Sequence, residues 1–116
     1  MGQKVVHFEI LGKDGKKTMD FYSKLFDWKV DANNPMNYGL VDAGSAGIGG
    51  GVAQAQDKPL LTFYVEVADP AATLKQAEAL GGKTVMPPME VPGGPTIAQF
   101  QDPDGNIVGL TKAGSM

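Results

Sequence analysis

His7-Phe8-Glu9-Ile10, closed four residues later by Asp14, returns 55 positions on as Thr62-Phe63-Tyr64-Val65, closed by Asp69. The same offset carries Thr18, Met19, Leu25 and Val30 onto Thr73, Leu74, Leu80 and Val85, so strand, cap and helix signals stay in step. Chance matching of short apolar segments would not keep that order, and the chain reads as an internal duplication. Each copy opens on a run in which β-branched and aromatic residues recur, 5–10 and 61–67, which predicts a strand. Each run stops at an aspartate. Asp14 can cap a helix over 15–27. Asp69 can cap one that starts at Pro70, whose fixed φ suits the first helical position, and that ends at Gly81-Gly82. In the first helix Met19, Tyr22 and Phe26, with Phe21, Leu25 and Trp28, give a broad apolar face.

After each helix come short strand candidates: 29–32, 38–43 and 48–54 in the first copy, 84–91, 96–101 and 107–112 in the second. Turn residues separate them. Asn33-Asn34-Pro35 and Ala43-Gly44-Ser45 break the first set; Pro92-Gly93-Gly94-Pro95 and Asp102-Pro103-Asp104-Gly105 break the second. The order β-α-β-β-β, twice, predicts an α+β domain of two tandem βαβββ modules, with helices on one face of curved mixed sheets whose other face forms a cup. Length and composition, 116 residues with 42% hydrophobic and 20% charged, suit one domain over 1–116, its modules near 4–56 and 60–112. Asp57-Lys58-Pro59 is too short a link to separate independent bodies.

Composition excludes several chemistries. The chain has no cysteine, hence no disulfide, thiolate metal site or cysteine nucleophile. All ten basic residues are lysine and the net charge is −3. That balance lacks the arginine-bearing basic stripe of a nucleic-acid binder. The opening MGQKVVHFEI lacks the apolar stretch of a signal peptide, and no run reaches the about eighteen apolar residues of a membrane span. The expectation is a cytoplasmic protein with neither nucleic acid nor membrane as partner.

The segments VVHFEI, FYSKLFDW, EALGGK and FQDPDGNIVGL, in that order, resemble the glyoxalase/bleomycin resistance protein/dioxygenase (vicinal oxygen chelate) superfamily, lactoylglutathione lyase among its members. The likeness spans Val5 to about Thr111, and DPDGN before a final apolar strand is its most specific part. The resemblance implies four metal ligands, usually His and Glu, from the first and last strands of each half. Carried over, these positions are His7, Thr62 and Gly109, with the fourth at Gly49 or, by the constant offset, Gln54. Only His7 is a metal-ligating type. One His with a threonine and glycines cannot hold a divalent ion tightly, so no metal or other cofactor is expected beyond weak divalent binding.

Serine nucleophiles are poorly placed: Ser23 on a helix, Ser45 in a glycine-rich turn, Ser115 in the tail. Gly47-Ile48-Gly49-Gly50-Gly51 lacks the lysine ending of a phosphate loop and reads as a strand pressed close to another backbone or a ligand. His7 is the candidate acid or base, and alternation puts Glu9 on its face. Glu9 is read either as a buried partner of His7 or, since Glu is rarely buried, as a solvated residue at the cup's mouth. His7 itself is expected to bond Thr62 or water, and Trp28, Tyr38 and Phe100 to serve as core. The expected ligand cavity is lined by His7, Glu9, Thr62, Tyr64 and Gly109. Three functions stay open: metal-independent binding of a small organic molecule, a lyase, isomerase or dioxygenase-type enzyme related to lactoylglutathione lyase and using His7, or an interaction module with a vestigial cavity. A homodimer is expected, and Gly109→Leu is expected to fill the cavity while sparing the fold.

Overall fold

A computed structural model describes residues 2–42, 44 and 47–115. The element order is β1 Val5–Gly12, α1 Gly15–Phe26, β2 Val30–Asp31, β3 Gly39–Val41, β4 Gly49–Gln54, then β5 Leu60–Val67, α2 Pro70–Ala79, β6 Lys83–Glu90, β7 Thr96–Gln101 and β8 Ile107–Lys112. This is βαβββ written twice, a mixed α+β fold as the duplication predicts. Of the Ala43-Gly44-Ser45 turn, Ala43 and Ser45 lie outside the described residues. The chain forms two compact units, residues 7–62 and residues 63–115 with 2–6.

The helix starts repeat atom for atom. The Asp14 carboxylate accepts from the Lys17 N–H at 3.2 Å, and the Asp69 carboxylate from the Ala72 N–H at 3.2 Å. The Thr18 and Thr73 hydroxyls then donate back to the carbonyls of Asp14 and Asp69 at 2.9 and 3.1 Å. The carboxylate bonds satisfy donors that the first helical turn leaves without partners. α2 stops at Gly81, whose φ of +100° is open to glycine, while the Gly82 N–H reaches back to the Ala77 carbonyl.

In the first unit the strand order is β2-β3-β4-β1, with β1 parallel to β4 and the other pairs antiparallel. β1 sets His7 against Gly49, Phe8 against Gly50 and Glu9 against Gly51. Phe8 covers Gly50 and meets Trp28, ring centroids 5.2 Å apart, and Tyr22 and Phe26 extend this cluster. The predicted apolar face of α1 is buried only in part: Phe21, Leu25 and Phe26 are 59%, 58% and 53% exposed. Two strands come out shorter than expected, 29–32 as Val30–Asp31 and 38–43 as Gly39–Val41. Asn34 explains one end, because its side-chain amide takes both backbone groups of Tyr38 and so lifts that residue out of the ladder.

In the second unit the order is β5-β8-β7-β6, with β5 parallel to β8. Val67, Leu74, Ala98 and Leu110 form a core between sheet and α2, with Val65 and Phe100 packed on it. β6 is an edge strand whose register shifts on both sides of Met86, as Met86-Pro87-Pro88-Met89 requires. The DPDGN turn closes on Asp102, which accepts from the Asn106 side chain and from the backbone N–H groups of Asn106 and Asp104. These bonds, the Asn106 side chain foremost, hold the Asp102 carboxyl below its ordinary range.

Candidate functional site

Strand alternation turns His7 and Glu9 to one face of β1 and Phe8 to the other. Between the two polar side chains sits Tyr38, delivered by the loop before β3. The His7 Nε2 lies 2.8 Å from the Tyr38 hydroxyl, and that hydroxyl donates to the Glu9 carboxylate at 2.8 Å. Glu9 is only 8% exposed, so the solvated position at a cavity mouth is overturned: a buried carboxylate needs a donor, and Tyr38 supplies one. The Nε2 of His7 meets the Tyr38 hydroxyl, a partner that the sequence did not suggest. Burial withholds solvent from the imidazolium and lowers the His7 pKa from its ordinary value, so the ring is neutral at neutral pH.

Tyr38 reaches this position because β4 offers no side chain in its way. A Cβ on Gly51 would lie inside the Tyr38 ring, and one on Gly50 inside the Phe8 ring. Gly50 and Gly51 are therefore pressed close to aromatic rings. Gly49, beside His7, differs: a Cβ there would meet only the Val41 carbonyl oxygen, at 3.3 Å.

The remaining expected site residues fall as follows. Thr62 is buried in the first unit. Tyr64 and Gly109 belong to the second unit, where they are register partners and the Tyr64 ring occupies the space a Gly109 Cβ would need. Gln99, the other neighbour of Gly109, donates to the Tyr64 hydroxyl at 3.4 Å. Gly109 has no positive φ, yet Gly109→Leu would drive into the Tyr64 ring, so the substitution expected to spare the fold does not. Two open grooves of about 330 and 310 Å³ run along α2 in the second unit, and neither includes His7. Sequence reasoning took Tyr38 for core, although a glycine inside a strand, as at Gly51, is a signal of a close approach by another group.

The register also corrects the fourth ligand position. Tyr64 pairs with Gly109, and its counterpart 55 residues earlier, Glu9, pairs with Gly51. Gly51, rather than Gly49 or Gln54, is thus the first-half equivalent of Gly109. Gln54 is engaged elsewhere, its carbonyl accepting from the Gly15 N–H at 2.7 Å at the start of α1. Both ligand-equivalent glycines lie under tyrosine rings, and the point on which His7 and Glu9 converge is filled by a hydroxyl. No group of three or more His, Cys, Asp or Glu gathers among the described residues. Of the family's ligand positions, His7 alone carries a metal-ligating side chain, where a catalytic zinc site ordinarily has three.

The sequence matches the Glyoxalase/Bleomycin resistance protein/Dioxygenase superfamily over residues 4–110. The chain belongs to that superfamily. No curated protein matches it in sequence. Among solved structures this superfamily member is similar to a hypothetical protein from Bacillus halodurans, with 12% identity and a TM-score of 0.69, covering 100% of this chain and 98% of that one. It is similar to methylmalonyl-CoA epimerase of Streptomyces coelicolor in complex with 2-nitronate-propionyl-CoA, with 16% identity, TM-score 0.62 and coverage of 97% and 96%. A superfamily member from Vibrio splendidus shares 18% identity, TM-score 0.62 and coverage of 96% and 98%. At such identities the likeness establishes the fold, which in this superfamily binds small molecules and often carries enzymes. No helix among the described residues is long and apolar enough to cross a membrane.

Proposed function

We propose that this chain binds a small organic molecule against the His7 face of β1, without help from a divalent ion. The observation that carries the reading is the His7–Tyr38–Glu9 chain, which places a neutral imidazole beside the side-chain-free Gly49 and puts a hydroxyl where imidazole and carboxylate converge. Glycine rather than a carboxylate residue stands at 49 and 51 beside His7 and Glu9, so a neutral or weakly polar ligand suits the face better than a chelating oxyanion. A metabolite thermal-shift screen tests the proposal: a ligand at a hundredfold its Kd adds about 2.7 kcal/mol to stability and raises the Tm. Gly49→Val should abolish that rise by filling the space beside His7. A rise that survives Gly49→Val puts the ligand elsewhere and overturns the proposal. After mild dialysis the protein should hold less than about a tenth of an equivalent of Zn, Ni, Mn or Fe, as expected where one histidine stands alone among the ligand positions.

A second reading, acid/base catalysis by His7, is favoured by its link to a buried carboxylate. His7→Gln keeps a hydrogen-bonding group but cannot titrate near neutrality. Turnover lost with binding retained would assign catalysis to His7. We also propose that two copies pair, supported by the exposed Phe21, Leu25 and Phe26 on α1 and by the exposed edge strand β6.

A further inference from the structure

We infer that Tyr38 is a positioning residue for His7: it fixes the neutral imidazole as the tautomer protonated at Nε2, making Nδ1 the basic nitrogen. The inference concerns the site of the proposed function, but it is a property of the protein without ligand. It starts from proton counting. A phenol carries one proton, and the Tyr38 hydroxyl sits 2.8 Å from both the Glu9 carboxylate and the His7 Nε2. The Tyr38 hydroxyl donates that one proton to the Glu9 carboxyl oxygen and so meets Nε2 with an oxygen lone pair. Nε2 must then be the donor. A neutral imidazole has one N–H, and with that proton on Nε2 the lone pair falls to Nδ1 whatever Nδ1 itself touches.

The surroundings of Tyr38 are built to hold this geometry. Asn34 grips the backbone from both sides: its Oδ1 accepts from the Tyr38 N–H at 2.9 Å and its Nδ2 donates to the Tyr38 carbonyl at 2.7 Å. That pair substitutes for ladder bonds the residue would otherwise make in β3. Gly51 clears the space for the ring. A ring needed only to fill volume would require neither the hydroxyl's two partners nor a dedicated amide holding its backbone. Histidines whose far nitrogen is pinned by a hydrogen-bonded carboxylate have one tautomer and one orientation, and here a tyrosine hydroxyl is interposed between the two groups.

The chain has a single histidine, so its imidazole can be observed without ambiguity. In ¹⁵N-labelled protein at neutral pH, a long-range ¹H–¹⁵N correlation should show Nε2 at the shift of a proton-bearing ring nitrogen and Nδ1 at that of a lone-pair nitrogen, with no tautomer averaging. Tyr38→Phe keeps the ring and removes the hydroxyl; both shifts should move toward the averaged values of an imidazole that exchanges tautomers freely. Asn34→Ala should move them the same way by less. A lone-pair shift at Nε2 in the unmodified protein overturns the inference by itself, even if no variant folds. So do unchanged ¹⁵N shifts in a folded Tyr38→Phe protein. Neither result touches the ligand screen, and an empty screen leaves the tautomer assignment standing, so the two can fail separately.

Discussion

His7 has a pH signature whose direction follows from its burial. Its folded-state pKa lies below the ordinary value because the imidazolium is poorly solvated there. The unfolded chain binds the proton more readily, so the stability tied to the neutral ring is complete above about pH 6.5 and declines as pH falls below it. His7→Gln removes this titration. The stability difference between the unmodified protein and His7→Gln, followed by urea unfolding from pH 7.5 downward, should therefore shrink as acid is added; a difference that grows would mean the folded state favours the charged ring. The glycines of β4 separate equally clearly. Gly51→Ala forces the Tyr38 ring to move and should cost about 1–3 kcal/mol while shifting the His7 resonances. Gly49→Ala meets only a carbonyl oxygen at 3.3 Å and should stay within about 1 kcal/mol. Equal losses at the two positions would contradict the packing described. His7 and the glycine run were visible as candidates in the sequence, but Tyr38 was not, since its partners lie 31 and 29 residues away and share no local pattern with it.

Among the elements, those with short-range causes were the most legible. Asp14 and Asp69 cap α1 and α2 through the same donor three residues on, and β7 and β8 run over the predicted 96–101 and 107–112. Asp14→Ala and Asp69→Ala should each destabilise by about 1 kcal/mol, and by similar amounts, because the two caps have the same geometry. Chemical denaturation of both variants checks this; a much larger loss at one would reveal an additional role for that aspartate. The apolar row of α1 shows where pattern reading stops. Periodicity at Phe21 and Leu25 announces an apolar side, but whether that side is covered depends on what the sheet presents to it, and both residues remain more than half exposed. The strands β2 and β3 fell short of their expected lengths for a similar reason: Asn34 competes for the backbone of Tyr38, and side-chain competition of this kind is poorly visible in propensity.

For the molecule as a whole, pairing of two copies is the consequence to measure. Light scattering at micromolar concentration should give twice the monomer mass, and charged substitutions at Phe21 and Leu25 should reduce it to the monomer if the exposed side of α1 contributes. A monomer mass for the unmodified protein would remove that proposal. By itself the sequence determined the duplication, the βαβββ order, both helix caps, the closing turn at Asp102 and membership of the superfamily, because each is written in residues a few positions apart or in a phrase repeated at a fixed offset. It also determined that three of the four ligand positions lack a carboxylate or imidazole. Only the tertiary structure decided which glycine stands opposite Glu9, that tyrosine rings lie over Gly51 and Gly109, and that Tyr38 joins His7 to Glu9. The reason is physical: register and long-range hydrogen bonding are settled when strands distant in sequence are packed together, and a shift of one residue in that pairing would turn His7 and Glu9 to the opposite face.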